Sequence, residues 1–159
     1  MTLSAIKGLL RGVADTAVSF VNADQLMAEH NVEVIAEQTP KGMDFVSLLS
    51  IEGGGHSLSA TLMGLGDEPR IVQIDGYKID MPPATNMLLI SNTDAPGVIG
   101  RLGTIIGDAS VNIANMEVGL TPDSSNAMMV VSLSERLNET VVAELRAVDE
   151  IMEVVEVNL

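Results

Sequence analysis

The chain of 159 residues contains no cysteine. Disulfides, thiolate metal sites, cysteine-ligated iron–sulfur clusters and cysteine nucleophiles are therefore excluded for it. Tryptophan is absent too, and Tyr77, Phe20 and Phe45 are the only aromatics, so no platform for stacking nucleobases is expected. Cations are scarce. Eight Lys and Arg stand against 22 Asp and Glu, a formal net charge of -14, which repels phosphate backbones and anionic lipid surfaces. Neither nucleic acid nor a membrane is an expected partner. His30 and His56, the only imidazoles, have no ligand partner at metal-binding spacing, so no metal site is expected. Lys7, Arg11 and Asp15 interrupt the apolar N-terminal stretch, which reads as neither a membrane span nor a signal peptide. The expected location is the cytoplasm.

What is present is apolar. Hydrophobic residues make up 47% of the chain, charged ones 19%, and the mean hydropathy is +0.33, a composition that folds compactly. Leu3, Ile6, Leu9, Leu10 and Val13 recur at helical spacing, and 23–30 reads as a second short helix capped by Asn22 or Asp24. The period then changes to two, at Val32-Val34-Ala36, 45–51, 58–63, 71–74 and 78–81, between turns at Pro40-Lys41-Gly42, Gly53-Gly54-Gly55, Gly66 to Pro69 and Asp75-Gly76. Pro82-Pro83 cannot continue a ladder, and a domain boundary is expected there, giving domains 1–84 and 85–159. The second half reads strand 86–91, helix 98–109, strand 111–119, strand 126–133, helix 138–147 and strand 152–158. This is the ferredoxin-like βαββαβ order, so the fold class is α+β: N-terminal helix plus antiparallel sheet, then the βαββαβ unit. Two helices cover one face of such a sheet, and the other needs cover or a partner.

The stretch most suited to chemistry is Asn92-Thr93-Asp94-Ala95-Pro96-Gly97-Val98-Ile99-Gly100. Pro96 suits the first turn of a helix, and Asp94 is placed as its cap. Gly97, Gly100, Gly103 and Gly107 cost about 1 kcal/mol each relative to alanine, so a close backbone approach is expected to compensate. A helix N-terminus offers N–H groups to a carboxylate and Asp94 offers an acceptor to an ammonium, a set suited to a zwitterion. On local chemistry alone, helix cap and packing face is the plainer reading of the same residues.

Taken together, Asn92-x-Asp94-x-Pro96-Gly97-x-x-Gly100, then Gly107, then Val111-Asn112-Ile113-Ala114 in βαββαβ order resemble the ACT family. Upstream, 4–10, 17–23 and 70–77 resemble the intervening allosteric substrate-binding domain of long-form D-3-phosphoglycerate dehydrogenases. The resemblance implies L-serine or another small amino acid as ligand, with Asn92 and Asp94 from one subunit, backbone contacts from Gly97, Val98 and Ile99, and Asn112 from a neighbour. It implies a homodimer or higher oligomer through the ACT domain. It also implies a candidate anion site at Arg70, with Lys78, Lys7 or Arg11 compensating for Pro82, where some relatives carry a base; surface charge is the plainer reading of each.

No catalytic residues are expected in this chain. The resemblance makes it the regulatory region of an NAD-dependent oxidoreductase of L-serine biosynthesis, with NAD held by domains this chain lacks and no cofactor of its own. Alternatives are an accessory subunit of an L-serine dehydratase, a free-standing amino-acid sensor, or an oligomerisation module. The methionines are expected as core filling, and Glu135, Glu139, Glu144, Asp149, Glu150 and Glu153 as a solvated acidic surface.

Overall fold

A computed structural model describes residues 2–10, 18–19, 21–29, 33, 35, 37, 45, 47–120 and 125–159. It divides into two compact units, one through residue 43 and one from residue 44 onward. In the first, α1 (Thr2–Leu10) and α2 (Ala23–Glu29) form a small apolar core from Ile6, Leu10, Ala23, Leu26 and Met27. Spacings of three and four place these residues on facing helix stripes. The expected continuation of α1 to Val13, Arg11, His30, the strand at Val32-Val34-Ala36 and the turn at Pro40-Lys41-Gly42 lie outside the described residues.

The second unit holds two antiparallel sheets. The first is a meander of β1 (Leu49–Gly53), β2 (His56–Met63), β3 (Glu68–Ile74) and β4 (Tyr77–Met81), in sequence order. The β1–β2 and β3–β4 turns fall where expected, whereas Glu68 and Pro69, expected in the turn before β3, open that strand. At the β3–β4 turn Asp75 and Gly76 both take positive φ, 48° and 83°, the requirement of a type I′ hairpin.

The second sheet contains β5 (Asn86–Thr93), β6 (Ile113–Leu120), β7 (Asn126–Leu133) and β8 (Ile151–Asn158), in the order β6-β7-β5-β8. Helices α3 (Val98–Asp108) and α4 (Glu139–Arg146) provide the crossovers. This is the expected α+β, ferredoxin-like arrangement. Leu88 and Ile90 of β5 meet Val98, Leu102 and Ile106 of α3 and Leu145 of α4 in its larger core. Asn138 caps α4, its Oδ1 accepting from Val141 N at 3.0 Å. Helix α3 ends in a Schellman motif with Ser110 at φ 62°, Ser110 N donating to Gly107 O at 2.8 Å and Val111 N to Ile106 O at 3.3 Å.

The face of this sheet away from the helices is covered by the first sheet. Ile71, Ile74, Ile79 and Met81 pack with Met87, Met128 and Val130 in a second core. Gly119 on β6 permits the contact. A Cβ there would lie 2.7 Å from Lys78 O and 2.8 Å from Ile79 Cδ1. The passage at Pro82-Pro83 is thus where the chain leaves one sheet for the other within a single compact unit. Met128 and Met129 are buried as core filling requires, whereas Met152 is 51% exposed. Among the described residues no helix is long and apolar enough to cross a membrane.

Candidate amino-acid site at the head of the second sheet

Alternation along β5 aims Leu88, Ile90 and Asn92 at the helix layer, since the first two belong to the core beneath α3 and α4. Asn92 is 3% exposed. Its Nδ2 donates to Thr93 O at 2.7 Å, while its Oδ1 is buried without a partner among the described residues. The loop after it is held by its backbone. Thr93 N donates to Glu150 O at 2.9 Å, Asp94 N to Ser125 O at 2.8 Å and Ala95 N to Thr93 O at 2.8 Å. The Asp94 side chain is left exposed and makes no hydrogen bond or ion pair among the described residues.

Asp94 does not cap α3. Gly97 is the N-cap, at φ 95° and ψ -14°, and no side chain among the described residues accepts from the first turn. Pro96 correspondingly precedes the cap instead of occupying the first helical turn. The left-handed Gly97 starts the helix through its backbone: Gly97 O accepts from Arg101 N at 3.0 Å. Such a φ is open to glycine at no steric cost, and the first-turn amides stay without a side-chain acceptor.

The other helix glycines behave differently from expectation. A Cβ at Gly100, Gly103 or Gly107 would meet nothing within 4 Å among the described residues, so no close backbone approach by them compensates. Beside them Ile99 is 51% exposed, while Val98 is 2% exposed with its side chain in the core. Val98 can therefore offer a ligand its backbone alone.

Asn92, Asp94, Gly97, Val98 and Ile99 thus gather at one end of α3, and Asn112 lies past the other. Eleven helical residues separate the two ends, about 16 Å at the α-helical rise. Asn112 is exposed, its N–H donating to Ser134 Oγ at 3.1 Å and its carbonyl accepting from Ser134 N at 2.9 Å. One protomer does not bring it to Asn92.

Glu150 departs from the solvated surface read from sequence. It sits in the turn before β8 and pairs through Oε1 with Arg101 of α3, while its Oε2 is buried without a partner among the described residues. Nothing in the local pattern around either residue signals this pair. Gly119 did carry a signal, because a glycine inside a strand marks close approach of another backbone.

Arg70 and Lys78 do not converge. Arg70 Nε donates to Asp80 Oδ1 and its Nη2 to Asp80 O, both at 2.8 Å, so its fork is engaged across the β3–β4 ladder. Lys78 lies opposite Gln73. At the other end of that sheet His56 Nδ1 lies 2.9 Å from Asp75 Oδ2, and Ser57 N donates to Asp75 Oδ1 at 2.6 Å. The Asp75 hydrogen bond and charge hold the His56 imidazole above its ordinary 6.5. Burial pushes the Asp75 carboxyl up, but the His56 and Ser57 hydrogen bonds outweigh it and leave it below 3.8.

Residues 86–150 match the ACT domain family. D-3-phosphoglycerate dehydrogenase of Synechocystis is 33% identical over 152 residues, covering 93% of this chain and 27% of that protein. The enzyme of the same name from Bacillus subtilis is 31% identical over 97% of this chain and 30% of its own length, and that of Archaeoglobus fulgidus 27% identical over 100% and 31%. The chain spans about 30% of the length of such relatives. It therefore carries an ACT domain and is homologous to the C-terminal portion of D-3-phosphoglycerate dehydrogenases.

Proposed function

We propose that this chain is the regulatory region of a D-3-phosphoglycerate dehydrogenase and that it binds L-serine, or a closely related small amino acid, at the β5–α3 junction of its ACT domain. The observation that carries the reading is the junction itself: a buried Asn92 with an orphaned acceptor leads into a helix whose first turn is uncapped by any side chain. Amides of that kind suit a carboxylate, and the acceptors beside them suit an ammonium. Binding of NAD and the oxidation step belong, in this reading, to domains outside this chain.

The site is completed by a second copy. Asn92 precedes one end of α3 and Asn112 follows the other, with a helix of about 16 Å between them, so a contribution from Asn112 requires a neighbouring protomer. The open glycine face of α3 and the exposed Ile99 offer a surface for that neighbour. Ligand at such a seam restricts how subunits move, and a coupling of about 1–3 kcal/mol would slow a remote active site.

Isothermal titration of the chain with L-serine, glycine and other small amino acids, repeated on Asp94→Ala, tests the reading. Saturable binding weakened tenfold or more by the substitution is expected. A folded chain that takes up no amino acid would refute it.

A further inference from the structure

Two acceptor atoms at the head of the second sheet, Asn92 Oδ1 and Glu150 Oε2, are buried without a donor among the described residues. They belong to neighbouring strand ends. Asn92 pairs with Ile151 across the β5–β8 ladder, and Glu150 directly precedes Ile151. Both face the helix layer, because Asn92 continues the alternation of Leu88 and Ile90 and Glu150 reaches Arg101 near the start of α3. Arg101 answers one oxygen of the Glu150 carboxylate and leaves the other. Buried acceptors without donors are unfavourable, more so when anionic, so a group that brings N–H donors is stabilised there. Asp94, the other carboxylate of this region, is exposed, and its charge would add to the attraction for an ammonium from the solvent side.

We propose that Glu150, acting with Asn92, accepts the ammonium group of the amino acid, an assignment that rests on the amino-acid reading above. A primary ammonium brings three N–H donors and a positive charge. Two donors match Asn92 Oδ1 and Glu150 Oε2. The ligand carboxylate is left to the uncapped first turn of α3. A hydroxyl in place of the ammonium offers one donor and no charge, so Glu150 makes the site select amino acids over the corresponding hydroxy acids.

The test is titration of the 159-residue chain with L-serine and with L-glycerate, its hydroxy-acid counterpart. Wild type, Glu150→Gln and Arg101→Met are compared, each checked for a cooperative melting transition. Wild type is expected to bind L-serine at least tenfold more tightly than L-glycerate. Glu150→Gln should weaken L-serine tenfold or more and leave L-glycerate unchanged, while Arg101→Met, which removes the ion-pair partner and not the acceptor, should keep the preference. If Glu150→Gln retains the preference, or if both variants weaken both ligands alike, Glu150 is a brace for α3 and the proposal is overturned. Should Glu150→Gln fail to fold, Arg101→Met decides: a retained preference supports the assignment and a lost one overturns it. A wild-type chain that binds neither ligand overturns the amino-acid reading together with this one, whereas serine binding that ignores Glu150 overturns this one alone.

Discussion

Gly100 and Gly103 lie inside α3 with open space where a Cβ would go. In an isolated protomer each glycine-to-alanine change should stabilise the helix by about 0.5–1 kcal/mol. The Gly100→Ala/Gly103→Ala double variant should then gain about 1–2 kcal/mol, or about 2–8 °C in melting temperature for a chain of this size. The same methyl groups have the opposite effect where a second copy packs on this face, since overpacking a close contact costs about 1–3 kcal/mol. The predicted result is therefore concentration-dependent. At dilutions where the chain is monomeric the double variant melts higher than wild type, and its dimer, followed by sedimentation equilibrium, dissociates at least tenfold more readily. A gain in melting temperature independent of concentration, with unchanged dimer affinity, would remove the α3 face from the interface. A wild-type chain monomeric throughout would refute the two-copy site.

Gly119→Ala should destabilise the second unit by about 1–3 kcal/mol, read as a lower urea midpoint, because its Cβ would lie 2.7 Å from Lys78 O, a backbone atom that cannot swing aside; an unchanged midpoint would show that the sheets slide apart freely. Asn138→Ala should cost about 1 kcal/mol through the lost cap to Val141 N, measured by the same unfolding curve and unaffected by amino-acid ligand. The His56–Asp75 pair gives a pH dependence of defined sign. The part from His56, raised above 6.5, is fully present below 6.5 and is lost as pH rises through the folded value; the part from Asp75, lowered below 3.8, is present above 3.8 and is lost as pH falls through the folded value. The pair thus contributes most between about pH 4 and 6.5. In an NMR titration Asp75→Asn should bring the His56 pKa down, and an unmoved value would refute the pairing.

Much of this architecture was legible as periodicity. Spacings of two and of three to four placed the strands and helices of 47–159, because burying one face of each element demands that repeat. Boundaries moved by one to four residues, as at β1, which starts at Leu49 and not at Phe45, and at β6, which starts at Ile113 after the Schellman turn and not at Val111. The cap of α3 is not the one that composition suggests. Asp94 has the right chemistry for capping, but a left-handed Gly97 makes the turn with backbone alone, and local composition does not distinguish the two.

The site was legible as a motif and not as a constellation. Asn92, Asp94, Gly97, Val98 and Ile99 are close in sequence, so any βαβ crossover gathers them. Glu150 comes 49 residues after Arg101, and the pairing of β8 beside β5 is what brings it to α3. By itself, the sequence determined the absence of thiol chemistry, the acidic character, the βαββαβ order and the crossover that carries Asn92 and Asp94, all properties of composition or local repeat. Only the tertiary structure decided that the first sheet covers the second through Gly119, that Arg70 is engaged by Asp80, that Asn112 lies past the end of α3 opposite to Asn92, and that a half-buried Glu150 pairs with Arg101. Those outcomes depend on contacts between segments far apart in the chain, which no local periodicity encodes.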